Sequence, residues 1–158
     1  MMIMKDIVDE IKILASQYEE ELPCGVDFDT SLYGYDFEGK IQVAPKEFWR
    51  QYREFVELLD GFDIDGFCIL GIKSHFEHGR VILDYNRKNT EIAKNSPALT
   101  FDYYEYCIIF GDSSLDIYTY DVRTNKWESR DRFQYDNLFI SCDTLTEFLM
   151  ALIPEIRG

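Results

Sequence analysis

Residues 110–127 read FGDSSLDIYTYDVRTNKW, and this stretch decides the fold class. Leu115 to Val122 has strand composition, with Ile117, Tyr118, Thr119 and Tyr120 at its centre. Gly111-Asp112-Ser113-Ser114 before it and Arg123-Thr124-Asn125-Lys126 after it are turn formers. A strand with a short turn at each end predicts hairpin partners on both sides, because parallel strands need long crossovers. Acids punctuate the stretch at Asp112, Asp116 and Asp121, and no Lys, Arg or His occurs from Asn95 through Val122.

Working outward, GFCILGI (66–72), RVILDY (80–85), YEYCIIF (104–110) and KWESRD (126–131) are further strand candidates. Between the second and third lies NRKNTEIAKNSPALT, a polar connection with room for a helical turn before Pro97. Helices are expected elsewhere. Ile7, Ile11, Leu14 and Tyr18 share one helical face, opposite Asp6, Asp9, Glu10 and Lys12. In APKEFWRQYREFVELLDGF, Pro45 suits the first helical position, Phe48, Tyr52, Phe55, Val56 and Leu59 make a buried stripe, and Gly61 supplies a left-handed stop. Near the C-terminus Thr144 and Glu147 match a capping box, Leu145, Phe148, Leu149, Leu152 and Ile153 form an apolar face, and Pro154 is expected to end the helix. The loop between the first two helices has space for a short strand or two. The expected fold is α+β: a mostly antiparallel sheet of about five or six strands, partly covered by N-terminal, central and C-terminal helices, in a single domain spanning 1–158. One sheet face, or an edge, would stay free to bind.

Charge narrows the function classes. The 158 residues carry 30 acids against 16 Lys and Arg, a formal charge of -14. Such a surface repels nucleic acid and anionic membranes and speeds association with basic proteins. Acids that merely maintain solubility are the bland alternative. No segment approaches the ~18 apolar residues of a membrane span, and MMIM is interrupted by Lys5 and Asp6 before any leader-like core forms. Cys24, Cys68, Cys107 and Cys142 are dispersed, with Cys68 and Cys107 in apolar runs, so buried, reduced thiols and a cytoplasmic location are expected.

Catalytic and metal signatures are weak. His75 and His78 flank Glu77 in SHFEHG, but the neighbouring Gly79 favours a solvated turn and no third ligand is near, so neither a metal nor a cofactor is expected. Asp116 and Asp121 fall on opposite faces of a regular strand, whereas Asp112 and Asp116 flank a turn and could converge. Paired acids of this kind leave a small hydrolase as an alternative. No nucleophile motif and no Gly-rich phosphate loop occurs. What remains is a surface rich in tyrosine and carboxylate. Tyr103, Tyr118 and Tyr120 with Asp102, Glu105, Asp112, Asp116 and Asp121 are the candidate partner-binding residues, joined in the same region by Tyr104 and Tyr106. Strand alternation turns some of these rings inward, so a purely structural role is the competing reading.

The central helix resembles the Pro-x-x-Tyr/Phe…Phe-Leu…Asn-Gly-Phe helix of the SUKH superfamily, the Smi/Knr-like proteins. Pro45, Phe48, Tyr52, Phe55, Leu59 and Gly61-Phe62 hold those places, with Asp60 where Asn is commoner. Residues 108–127 are similar to that family's strand-turn-strand-turn-strand at Gly111, Asp112, Asp116, Tyr118, Tyr120 and Asp121, with Asn125 at a turn position usually held by Gly. Leu145, Phe148 and Leu149 match its terminal helix. The resemblance spans most of 40–153, and DGFDIDGFCILGI departs from the family's aromatic-Gly strand. It implies an α+β fold without catalysis. It also implies an immunity protein that binds and neutralises a cognate toxin, often a nuclease, or else a regulatory scaffold module.

Overall fold

The computed structural model describes residues 2–35, 37, 45–73, 80–96 and 105–158. Six strands, β1 (Phe62–Ile64), β2 (Phe67–Ile69), β3 (Cys107–Asp112), β4 (Asp116–Asp121), β5 (Lys126–Asp131) and β6 (Leu138–Cys142), form one sheet in sequence order. Each is antiparallel to the next. Helices α1 (Met4–Gln17), α2 (Lys46–Leu58) and α4 (Leu145–Arg157) contribute to the core on one face, and α3 (Ile82–Asn95) packs beside β3. The fold is α+β, as the strand pattern predicts.

Parity along β4 builds the core. Tyr118 and Tyr120 point to the helices, as do Phe110 of β3 and Trp127 of β5. Phe48 stacks on Trp127 at 5.3 Å and reaches Tyr120 at 5.4 Å, while Phe148 of α4 meets Phe110 edge-on at 5.0 Å. Trp49, absent from the expected stripe, is also fully buried, so α2 presents a wider apolar face than its i, i+4 pattern shows. Its end follows the expectation: Leu59 is already extended, and Gly61 at φ +82° turns the chain into β1, where a Cβ would lie 2.6 Å from the Ile69 carbonyl.

Several elements differ from the sequence reading. RVILDY is not a strand: after a single bridge between Val81 and Gly71, the chain enters α3. Its buried stripe is Ile82, Asn86, Thr90 and Ala93, which has helical spacing but two polar members. Asn86 explains the disguise. Its Nδ2 donates to the carbonyls of Ile109 and Ile82, both at 2.8 Å, and its Oδ1 accepts from the Ile109 amide at 2.9 Å. β2 pairs with β3 only at Gly111 and Asp112, so a side-chain amide occupies the strand position left vacant beside Ile109.

The β1–β2 hairpin turns at Asp65-Gly66, both with positive φ (51° and 84°), which is the Asp-Gly primed turn. Between α1 and α2 the described residues form a short 3-10 helix, Thr30–Gly34, in place of a strand. α4 begins as its capping box predicts, with Thr144 Oγ1 accepting from the Glu147 amide at 3.1 Å. It continues past Pro154 to Arg157, because Ile156 is buried and its carbonyl accepts the Tyr18 hydroxyl at 2.8 Å. All four cysteines are free thiols; Cys68 and Cys107 are buried as expected, whereas Cys24 is exposed.

Candidate interaction surface

Four of the expected binding residues are committed inside the protein. Tyr118 and Tyr120 are essentially fully buried, which corrects the expectation that their rings face a partner. Their parity on β4, opposite Ser129 and Trp127, sends them beneath the helices. Burial pushes the Tyr120 hydroxyl up to about 12, and it donates to Asn125 Oδ1 at 2.8 Å. Asn125 sits at φ +58°, a left-handed conformation that Asn tolerates, and its side chain adds a polar clamp to the turn.

Asp112 pairs with Ile117 across β4 and lies on the face opposite Asp116, so these two carboxylates do not converge. Its carboxylate is gripped by Arg80 through two bonds of 2.9 and 2.8 Å, by Arg132 at 2.6 Å and by the Tyr85 hydroxyl at 2.9 Å. Burial opposes the charge of Asp112, yet Arg80, Tyr85 and Arg132 outweigh it and hold the carboxyl below its ordinary range. Tyr85 is pushed up to about 12 by burial and by that carboxylate. Asp121 accepts from the Arg123 amide at 2.8 Å and from its guanidinium at 3.0 Å, while that guanidinium covers the Tyr106 ring at 3.4 Å. These acids are structural. Of the remaining candidates, Glu105 is exposed and Asp116 half-buried, and Asp102 and Tyr103 lie outside the described residues, as do Tyr104, His75 and His78.

Nor is the second sheet face open over β3 and β4. Cys107, Ile109, Ile117 and Tyr135 form a small buried cluster, with the Tyr135 hydroxyl 3.1 Å from Cys107 Sγ and 3.3 Å from Thr119 Oγ1. Burial, then the neighbouring Cys107, raises Tyr135 far above an ordinary phenol. Exposure is concentrated elsewhere.

At one end of the sheet the β3–β4 turn meets the β5–β6 connection, where the Leu115 carbonyl accepts the Arg132 amide at 2.9 Å. Around this junction Leu115 (66% exposed), Phe133 (68%), Leu138 (46%) and Phe139 (53%) face solvent. Local hydrogen bonds hold them there. Asp131 Oδ1 accepts from the amides of Phe133 and Gln134 at 2.8 and 3.2 Å, which fixes the turn that lifts Phe133. Ser129 pairs with Ile140 and Arg130 with Leu138, leaving Phe139 as the extra residue of a bulge that aims it outward.

Acids surround the same end. Asp65, Gly66, Phe67, Ser113, Ser114, Leu115, Asp116 and Glu155 line a depression of about 280 Å³. Among the described residues no ion pair reaches Asp65, Asp116 or Glu155. Asp116 stands directly across from Asp131, a like-charge pairing that sheets disfavour. Burial and Asp131 raise the Asp116 carboxyl, and burial and Asp116 raise Glu155.

The sequence reading missed Phe133, Leu138, Phe139 and Glu155. A signal for the first three existed: apolar residues at RFQYDNLF interrupt a polar turn, where a solvated connection would have none. Glu155 is brought to Asp116 only by the docking of α4, which no local pattern encodes. The chain matches no protein-family model and no curated protein.

Proposed function

We propose that this protein is a non-catalytic binding protein that captures a basic protein partner with the acid-lined, apolar end of its sheet. Immunity to a cognate toxin, often a nuclease, is the form the reading takes. One observation carries it: four large apolar side chains are held in solvent at an end of the sheet where Asp65, Asp116 and Glu155 form no ion pair among the described residues. Contiguous exposed apolar surface is costly to solubility and marks interaction sites. Aromatic anchors such as Phe133 and Phe139 give binding energy by entering pockets, while surrounding acids steer a basic partner and reject nucleic acid. A net charge of -14 suits occupation of a cleft that otherwise accepts phosphates. The motif resemblance to the SUKH proteins supports the same class, and no step of the reading requires a cofactor.

The test is co-expression. The product of the gene adjacent to this one is induced in a sensitive host with the native protein, with Phe133→Ala/Phe139→Ala, or with neither. The native protein is expected to relieve toxicity, and the double variant to bind about 30-fold or more weakly while remaining folded. Toxicity that the native protein leaves untouched overturns the immunity reading in favour of a regulatory module acting on a cellular protein.

A further inference from the structure

Arg132 is tied at two points to the β3–β4 turn. Its amide donates to the Leu115 carbonyl at 2.9 Å, and its guanidinium donates to Asp112 Oδ2 at 2.6 Å. Phe133, 68% exposed, follows directly. On the other side of Arg132, Asp131 accepts the Phe133 and Gln134 amides on Oδ1. The Asp131 amide donates to the Asn137 carbonyl at 3.0 Å, and the Asn137 amide to the Gln134 carbonyl at 2.9 Å. Tyr135 is buried beside Cys107, and its carbonyl accepts Arg130 Nη1 at 3.1 Å. The β5–β6 connection is therefore fixed at Asp131, Arg132, Tyr135 and Asn137, and between those points it lifts Phe133 into solvent.

The carboxylate of Asp112 holds more partners than its own charge requires. An ionised carboxylate has about four acceptor positions. Arg80 fills two and Tyr85 a third, both from the entry to α3. The fourth bond is the shortest of the set and arrives from Arg132, twenty residues further along the chain. A two-bonded guanidinium and a tyrosine hold a half-enclosed carboxylate without further help. Two cations on one carboxylate exceed charge balance, so neutralising Asp112 does not account for Arg132. What Arg132 adds is geometric: it joins the turn that carries Leu115 to the connection that carries Phe133.

We propose that Asp112 is a positioning residue for the binding surface, which locks the β5–β6 connection onto the β3–β4 turn through Arg132. Leu115 and Phe133 are then presented together before a partner arrives. The inference rests on the binding-protein reading above, and it gives a buried acid a part in recognition without any contact to the partner. Rigid aromatic anchors bind better than mobile ones, because their ordering cost is met before association. With the tie cut, affinity falls by the fraction of time that the two turns remain in register.

Amide hydrogen exchange on the isotope-labelled full chain tests the tie without a partner. The Arg132 amide reports the junction. The Val122 amide, which donates to the Tyr106 carbonyl at 2.9 Å just past the far end of β4, reports the sheet. Asp112→Asn should speed exchange at Arg132 about tenfold more than at Val122, since a charge-assisted bond is lost only at the junction. Arg132→Gln should do the same, and the double variant should add nothing, because both changes cut one bond. Arg132 is about a third exposed, so this variant keeps the measurement available if Asp112→Asn folds poorly. Arg80→Gln removes a two-bonded grip on the same carboxylate from outside the connection, and should leave the ratio of the two rates within about threefold of native. Equal acceleration at both amides, additive single variants, or an Arg80→Gln ratio matching that of Arg132→Gln would each overturn the proposal. With the neighbouring gene product as probe, Asp112→Asn should weaken binding about fivefold although every exposed side chain remains, and unchanged binding would also overturn it. The two readings separate. If loosening is uniform while Phe133→Ala/Phe139→Ala still abolishes partner binding, the positioning role falls and the binding surface stands. If loosening is confined to the junction and the neighbouring product does not bind the native chain, the tie stands and the immunity reading falls.

Discussion

Phe48 is fully buried, with its ring against Tyr52, Tyr120 and Trp127, whereas Phe133 is 68% exposed on a turn fixed by Asp131. The acids divide in the same way. Asp112, at the end of β3, is gripped by two arginines and a tyrosine, while Asp116, just across the turn, forms no ion pair among the described residues and feels Asp131 and Glu155 against the field of Arg132. One residue type thus appears in two opposite energetic states within one sheet. Phe48 and Asp112 are enclosed by partners, whereas at the turn end Phe133 faces solvent and Asp116 faces other acids. Stability alone selects only the first arrangement.

The largest effect should test that division through the rings. Phe48→Ala removes a side chain in contact with five other rings and should cost ~3–5 kcal/mol in urea unfolding. Phe133→Ala should change stability by no more than about 0.5 kcal/mol. Comparable losses for the two would mean that Phe133 is structural, and the comparison would break.

The acid pair gives the next largest effect. Asp112→Asn leaves Arg80 and Arg132 without their counter-charge; both are about a third or more exposed, so solvent recovers part of the loss and about 2 kcal/mol is expected. Because the Asp112 carboxyl is held below 3.8 in the folded protein, its contribution is present above that pH and is lost as pH falls through the depressed value. The variant should therefore unfold less steeply in acid than the native chain. An unchanged acid limb in chemical unfolding at graded pH would show that the arginines do not stabilise the ionised form.

How legible this was follows from the range of each determinant. The alternation in LDIYTYDV, the capping box at Thr144 and the Gly61 stop are local, and each element formed where its own residues specify it. α3 was hidden because Asn86 and Thr90 occupy its buried stripe, a choice that makes sense only beside the vacated edge of β3. Tyr118 and Tyr120 were correctly placed on a strand, but which face is covered depends on where α1, α2 and α4 dock. The binding end required two turns and a helix terminus to meet, with sequence separations that no periodicity spans.

Asp116→Asn is the smallest expected change and the sharpest comparison, because stability and binding should move in opposite directions. The raised folded value of Asp116 means that its ionised form costs stability above 3.8, and that the cost fades as pH falls through the raised value. Asparagine removes the repulsion from Asp131, so the variant should be more stable at neutral pH, by less than about 1 kcal/mol after solvent screening. That advantage should vanish in acid, where a protonated aspartate and an asparagine are equivalent. Association with a basic partner should meanwhile slow and lose part of its salt dependence. A gain in stability with a loss of on-rate identifies a carboxylate retained for a partner at the expense of the fold. A variant that loses stability at neutral pH would show instead that Asp116 has a structural counterpart, and would return it to the company of Asp112.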